Sequence, residues 1–122
     1  MKNFVAASIG LFALSTLSIA SAADDITAMV GKWKWEGFTI VVKKCPTTEV
    51  CAEVIAGPKN VGMQMIKTKL AAKGDGFVGK VAHPQTGDTY NAKLTMANAD
   101  TWHLDGCTDK NVCASGDFTR IK

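Results

Sequence analysis

Hydrophobic and polar positions alternate through the last third of the chain, from residue 88 to residue 120. The alternating stretches are residues 88–96, 100–107 and 112–120, and short polar segments separate them. Because successive side chains of a strand point to opposite faces of a sheet, each stretch predicts a strand with one buried face. The pattern therefore indicates three consecutive antiparallel strands joined by two turns.

Cys107 and Cys113 stand on either side of the second of these turns. A disulfide between them requires the two residues to lie opposite each other, and this fixes the pairing of the two strands. One face then becomes apolar and places Trp102 opposite Phe118. The other face becomes polar and includes His103, as expected for a strand pair with only one side in a core.

Cys45 and Cys51 frame an earlier hairpin, with the same number of residues between them. A disulfide here predicts that Val42 lies opposite Val54 on an inward face, with the bond itself on the outer face. The predicted connectivity is therefore one bond within each hairpin. Four cysteines allow three pairings, and four free thiols are the further alternative.

Turn residues divide the rest of the chain into five more candidate strands, at residues 31–36, 38–45, 49–56, 61–73 and 77–82. The stretch 61–73 fits either a strand with a bulge or a partly helical segment, and we prefer the strand. About eight short antiparallel strands at this spacing predict an all-β fold, a small up-and-down barrel. The predicted inward residues are Trp33, Trp35, Phe38, Ile40, Val42, Val54, Phe77, Val81, Tyr90, Leu94, Met96, Trp102, Leu104 and Phe118.

Residues 1–22 have the pattern of a signal peptide rather than of a folded element. Lys2 precedes an apolar run, and Ala20-Ser21-Ala22 forms a small-residue cleavage site. An uncleaved membrane anchor is the alternative, although the run is short for a span of about 20 residues. Cleavage leaves one domain, residues 23–122. The prediction is a periplasmic or secreted bacterial protein, in a compartment where disulfides form.

The charge of the chain favours no particular class of partner. Without Lys2 the chain has 13 basic and 11 acidic residues. The lysines alternate with other residues along the strands and are interleaved with acids, so the sequence predicts no nucleic-acid-binding patch.

Several short motifs, taken in order, resemble those of a bacterial family known as domain of unknown function 2147. Its members are small exported proteins. The matching motifs are Gly31-Lys32-Trp33, the Cys45 and Cys51 hairpin, the turn 83–90, the late hairpin of Gly106-Cys107 and Cys113, and Phe118-Thr119-Arg120. His83 and Phe118 depart from the usual Asp and Trp. The resemblance implies a lipocalin-like or streptavidin-like barrel and no known activity.

Five residues are predicted to close the barrel or to contact a ligand: Trp33, Trp35, Tyr90, Trp102 and Arg120. The first and last strands of a closed barrel are neighbours, so Arg120 is expected to stack on Trp33. That contact is interpreted as structural, and ligand contact is the alternative.

Two groups of residues have the composition of a chemical site, and each also has a plainer role. His103 opposite Asp117 has the composition of a base with its orienting acid, but no nucleophile motif accompanies it, so a surface pair is the preferred interpretation. Met63 and Met65 are soft copper ligands in principle, yet methionine is also ordinary core filling. The sequence therefore predicts no catalytic residue, no metal site and no cofactor.

The predicted function is non-enzymatic binding by an exported barrel, either of a small apolar ligand or of a protein of the cell envelope. One alternative is an inhibitor of a secreted protease or lysozyme. Another is a structural envelope protein that has no discrete site. Because these hypotheses rest on fold analogy, the structure must supply the physical argument.

Overall fold

The predicted alternation corresponds to eight antiparallel strands in a computed structural model, which describes residues 25–122. The predicted signal peptide, residues 1–22, lies outside this range. One turn of 3-10 helix precedes the first strand. The elements are the 3-10 helix Ile26–Met29 and the strands β1 Gly31–Trp35, β2 Phe38–Cys45, β3 Glu49–Ala56, β4 Ala71–Lys73, β5 Gly76–Ala82, β6 Thr89–Asn98, β7 Thr101–Cys107 and β8 Cys113–Arg120.

The strands form one curled sheet with the order β3-β2-β1-β8-β7-β6-β5-β4. Every pairing is antiparallel. Strands that follow each other in the chain lie side by side, except β3 and β4, which form the two edges of the sheet. The first strand also pairs with the last, with Trp33 opposite Arg120. The all-β, eight-stranded fold class predicted from the sequence is confirmed.

The stretch 61–73, expected to be a strand, is regular only at β4. Residues 63–67 instead bridge the gap between β3 and β5. The amide of Met65 donates to the carbonyl of Ala52 at 2.7 Å, and the carbonyl of Met65 accepts from the amide of Ala82 at 2.7 Å. Single bridges pair Gln64 with Glu53 and Ile66 with Val81. This closing segment, residues 63–67, joins both sides of the curled sheet.

The pairing of β7 with β8 is the predicted one. Trp102 lies opposite Phe118, His103 opposite Asp117, and Cys107 opposite Cys113. Both predicted disulfides are present, and the described residues include no free cysteine. Since each bond lies within one hairpin, each fixes a local strand pair rather than tying distant parts of the chain.

The predicted pairing of β2 with β3 is wrong by two residues. Val54 lies opposite Ile40 rather than opposite Val42, and Cys45 lies opposite Glu49. Three residues, 46–48, connect the two strands, and Glu49, the first residue of β3, has a left-handed φ of 73°. The disulfide consequently joins a diagonal pair of cysteines. A slip of two residues keeps every side chain on its face, so the hydrophobic pattern did not distinguish the two registers.

The core fills the inside of the curled sheet. Of the predicted inward residues, Trp35, Met96, Leu104 and Phe118 are only partly buried, and the others are buried. The structure adds buried residues from the 3-10 helix, β3, β6 and the stretch before β4: Ile26, Met29, Val50, Ala52, Met65, Ile66, Leu70 and Ala92. No helix within residues 25–122 is long and apolar enough to cross a membrane.

Candidate functional site

One end of the barrel, here called the base, is closed by the 3-10 helix. Ile26 and Met29 are buried in the core, and the carbonyl of Met29 accepts a 2.7 Å hydrogen bond from the indole N–H of Trp33. Asp25 caps the helix by accepting from the amide of Thr27 at 2.9 Å. That backbone hydrogen bond is the main reason that the pKa of Asp25 lies below its ordinary value.

Arg120 completes the base by joining three separate segments. Its guanidinium carbon lies 4.3 Å from the centre of the Trp33 ring. The same group donates to the carbonyls of Val30, Ala28 and Ala99, each at 3.0 Å. A guanidinium that stacks on an indole and donates its hydrogen bonds to backbone carbonyls stabilises the fold. The guanidinium of Arg120 is therefore committed to the fold rather than to a ligand.

The opposite end carries a cluster of five rings, here called the aromatic mouth. Trp35 lies at its centre and stacks on Phe38 and on Phe118, each with ring centres 5.8 Å apart. The ring of His83 meets that of Trp35 edge to face, with centres 5.1 Å apart, and is tilted against the ring of Tyr90, with centres 5.5 Å apart. Such contacts add to the burial of the rings themselves. The mouth is thus assembled from β1, β2, β6, β8 and the loop after β5.

Gly116 explains how the Trp35 ring lies against β8. A Cβ atom at Gly116 would come within 2.5 Å of Nε1 of Trp35, which is closer than such atoms approach. Glycine at this inward position therefore leaves the space that the indole occupies. A larger residue here would displace the central ring of the aromatic mouth.

His83 is held as a neutral ring with a defined tautomer. Its Nδ1 accepts from the backbone amide of Gln85 at 3.1 Å, so in the neutral form the proton is on Nε2. Burial lowers the pKa of His83 below its ordinary value, and the nearby charge of Asp88 opposes this only in part. At neutral pH the aromatic mouth therefore contains an uncharged N–H donor.

Two small cavities lie in series behind the aromatic mouth. The deep cavity, of about 40 Å³, is lined entirely by apolar and aromatic side chains, including Trp33 and Trp102. The mouth cavity, of about 30 Å³, is lined in part by Trp35, His83 and Tyr90. Each is close to the ~30 Å³ that one water molecule occupies in the liquid. The four side chains common to both linings are Met65, Val81, Leu104 and Phe118.

The indole N–H of Trp102 is the one buried side-chain polar group within residues 25–122 that lacks a hydrogen-bond partner. The residue is only 2% exposed, and its ring meets that of Trp33 nearly at right angles, with 6.3 Å between centres. Buried polar groups are nearly always paired, so an unpaired donor beside a cavity requires an explanation.

The predicted pair of His103 and Asp117 forms on the outer face, as a surface pair. Nδ1 of His103 lies 2.7 Å from Asp117, and Nε2 lies 3.0 Å from Asp105. The hydrogen bond with Asp117 is the main reason that the pKa of His103 is raised. Because carboxylates occupy both ring nitrogens, neither nitrogen is free to take a proton from a hydroxyl nucleophile.

The methionines considered as copper ligands contribute to the core. Met65 is buried, and Met63 is partly buried against the same cluster. Residues 25–122 contain no group of three or more His, Cys, Asp or Glu side chains arranged to hold a metal ion. The burial of Met65 and the packing of Met63 are those of side chains that fill core space, as methionine commonly does.

The structure divides the five predicted site residues between three places. Trp33 and Arg120 form the base, Trp35 and Tyr90 belong to the aromatic mouth, and Trp102 lies in the interior between them. Sequence reasoning missed His83 and Met65 as parts of the site. Two features of the sequence could have identified them. His83 and Tyr90 stand at the two ends of one turn, and Met65 belongs to a stretch in which apolar residues alternate with others.

Comparison of the chain with known proteins identified no relative. No family model, no curated protein and no solved structure matches the chain. The geometry of the aromatic mouth and of the two cavities is therefore the basis for a functional proposal.

Proposed function

We propose that this is an exported, non-enzymatic barrel protein that binds a small apolar ligand through its aromatic mouth. The observation that carries the proposal is the pair of apolar cavities in series, with four lining residues in common. Concave apolar sites with few polar groups are typical of small-molecule binding. Because each cavity has about the volume of one water molecule, even a slim chain or a single small ring fits only after the side chains between the cavities move.

Access from the mouth requires only side-chain movement. Met65 lines both cavities and has three rotatable bonds, so a rotamer change shifts its thioether away from the junction. Leu104 and Phe118, which also separate the cavities, are only partly buried. The base is fastened by backbone hydrogen bonds to Arg120, so the ligand enters from the mouth.

The cysteines support an exported location. Two disulfides are typical of an oxidising compartment outside the cytoplasm. Together with the signal peptide predicted at residues 1–22, they favour the periplasm or secretion. The resemblance to family 2147 favours a lipocalin-like barrel, an architecture in which ligands occupy the interior.

Filling the junction between the cavities tests this proposal. Val81→Met adds a flexible side chain where the two linings meet, so we expect folding to be retained and binding of a small apolar probe to be lost. Binding is measured by titrating cyclic hydrocarbons against the tryptophan fluorescence and the NMR spectrum of the oxidised protein.

Val112→Met is the matched control, because Val112 is 59% exposed and lines neither cavity. It should bind the probe as the unmodified protein does. If the unmodified protein binds no small apolar probe, or if Val81→Met binds as well as Val112→Met, the proposed interior site is wrong.

One observation favours the inhibitor alternative as a second candidate. The loop 108–112 is closed by the Cys107–Cys113 bond at the mouth end and exposes Val112. A stapled loop with an exposed apolar tip suits insertion into a protease or lysozyme cleft. Under this reading, Val112→Asp abolishes inhibition of a secreted hydrolase. If neither Val81→Met nor Val112→Asp alters any measured interaction, a structural envelope role is favoured instead.

A further inference from the structure

We propose that His83 is a pH-sensitive switch that controls access to the aromatic mouth. The neutral ring closes the mouth cavity, and protonation turns the ring outward to Asp88 and opens the cavity to solvent. This inference goes beyond the proposed function, because it concerns the mouth of the protein without any ligand.

The connection between β5 and β6, residues 83–88, is here called the mouth strap because it reaches across the aromatic mouth. His83 and Pro84 line the mouth cavity together with Ser115 of β8, although β7 separates β8 from β6 in the sheet. Asn60 of the neighbouring loop donates to the carbonyl of Pro84 at 2.8 Å. Pro84 is buried, His83 is half-buried and residues 85–88 are exposed. The ring of His83 is therefore the titratable part of the strap that fills the mouth.

The inward position of His83 depends on a neutral ring. Its Nδ1 accepts from the amide of Gln85 at 3.1 Å, and its ring contacts those of Trp35 and Tyr90. A protonated imidazole has donors at both nitrogens, so protonation replaces this hydrogen bond by two donors that face each other. The charged ring also loses hydration when it is packed inside the mouth, and this burial is the main reason that the pKa of His83 is lowered.

The surrounding charges favour an outward position for the protonated ring. The carboxylate of Asp88, in the same strap, acts on His83 in the direction that raises its pKa. Among residues 25–122, the side chains that line the mouth cavity include no Asp, Glu, Lys or Arg, and Tyr90 is the other titratable group there. Glu36 and Lys59, in the adjoining turn and loop, lie outside this lining. Asp88 is therefore the opposite charge toward which the protonated ring turns.

The movement requires rotation of one side chain and no refolding of the strap. The amide of His83 donates to the carbonyl of Asp88 at 2.8 Å, and the amide of Gly87 donates to the carbonyl of His83 at 2.7 Å. Neither bond involves the imidazole, so both persist when the ring turns. An outward ring regains its ordinary pKa of 6.5, so it binds a proton more tightly than the inward ring does. The outward population should therefore grow as the pH falls below 6.5 and level off below the lowered pKa.

Solvent access to Tyr90 tests the switch in the protein without ligand. Tyr90 is the single tyrosine of the chain, is only 6% exposed and lies against the ring of His83. Line broadening of its ring signals by an uncharged nitroxide in solution measures how often the mouth is open. We expect this broadening to increase by about three- to tenfold as the pH is lowered, the population change that one lost hydrogen bond produces. The Nε1–H signal of Trp33, bonded to the carbonyl of Met29 at the base, is the internal reference.

Three variants assign the response to its group. His83→Phe keeps an aromatic ring but gains no proton, so the broadening of Tyr90 should no longer depend on pH. His103→Gln is the matched control, because it removes the other histidine from the outer face and should keep the full response. Asp88→Asn removes the charge that raises the pKa of His83, so the response should move to lower pH.

The switch is overturned if the broadening of Tyr90 does not change while His83 titrates. It is also overturned if His83→Phe keeps the pH response, or if Asp88→Asn leaves the midpoint unchanged, because another group then controls the mouth. A response that disappears in Asp88→Asn would belong to Asp88 itself. The Asp88→Asn midpoint decides alone if His83→Phe does not fold. None of these results bears on the apolar site, which the Val81→Met comparison tests separately.

Discussion

Arg120 shows how a single side chain joins parts of the chain that are far apart in sequence. It lies near the end of β8 but donates to the carbonyls of Ala28, Val30 and Ala99 while it stacks on Trp33. Hydrogen bonds from a charged donor are stronger than those between neutral groups. The base of the barrel should therefore depend on the shape of the guanidinium as well as on its charge.

Arg120→Lys should destabilise the protein by about 2 kcal/mol or more, because lysine keeps the charge but has no planar set of donors. Urea unfolding of the oxidised protein measures the change. Lys122→Ala removes an exposed pair with Asp100, and its effect should be much smaller. A lysine variant as stable as the unmodified protein would show that charge alone fastens the base.

The two histidines should titrate on opposite sides of their ordinary pKa of 6.5. Burial lowers the pKa of His83, and the hydrogen bond with Asp117 raises that of His103. An NMR titration of the imidazole protons should therefore show two separated steps. His103→Gln assigns the upper step by removing it, and titration of both rings at a single pKa would contradict the described geometry.

The two shifts have opposite consequences for stability. His103 contributes stability that is present below pH 6.5 and lost as the pH rises through its raised pKa. His83 favours its neutral form in the folded protein, so its contribution is present above pH 6.5 and lost as the pH falls through its lowered pKa. Urea midpoints of His103→Gln and of the unmodified protein should converge at high pH and diverge at low pH.

At the scale of elements, the two disulfide hairpins have the same cysteine spacing but different registers. Cys107 lies directly opposite Cys113, with Cα atoms 3.9 Å apart, whereas the Cα atoms of Cys45 and Cys51 are 5.8 Å apart across a diagonal. The face of each strand was predictable in both hairpins, because alternation is a local property. The register was predictable only where the bonded cysteines form a direct pair.

Removing either disulfide should cost about the same stability, roughly 2 kcal/mol, because each closes a loop of the same length. The comparison uses the double alanine variants at positions 45 and 51 and at positions 107 and 113. Equal shifts in the urea midpoint support the loop-entropy account. A markedly larger loss for one pair would show that the bond also holds native packing in that hairpin.

At the scale of the whole molecule, the curled sheet encloses a core because the closing segment connects its two sides. Met65 uses both its backbone groups for this, donating to Ala52 in β3 and accepting from Ala82 in β5. The closing segment also covers part of the edges of β3 and β5, and uncovered strand edges invite association with other chains. Met65 additionally lines both cavities, so closure and the candidate site depend on the same residue.

Met65→Pro should open the barrel, because proline lacks the amide that bonds to Ala52. We expect a loss of about 3 kcal/mol or more and faster hydrogen exchange at the amides of Val54 and Ala82. Met65→Leu keeps the amide and most of the volume, so it should retain protection at both amides. Retained protection in the proline variant would mean that closure does not depend on this residue.

The alternation of apolar and polar residues, together with turn residues and cysteine spacing, by itself determined seven of the eight strands, their inward faces and the pairing of each disulfide. These features follow from neighbours a few residues apart, so a linear pattern contains them. Only the tertiary structure decided the rest. The two partners of the closing segment, the register of β2 with β3, and the meeting of His83 with Trp35 depend on contacts between distant residues. Such contacts are selected by how the complete core packs, and no local pattern specifies them.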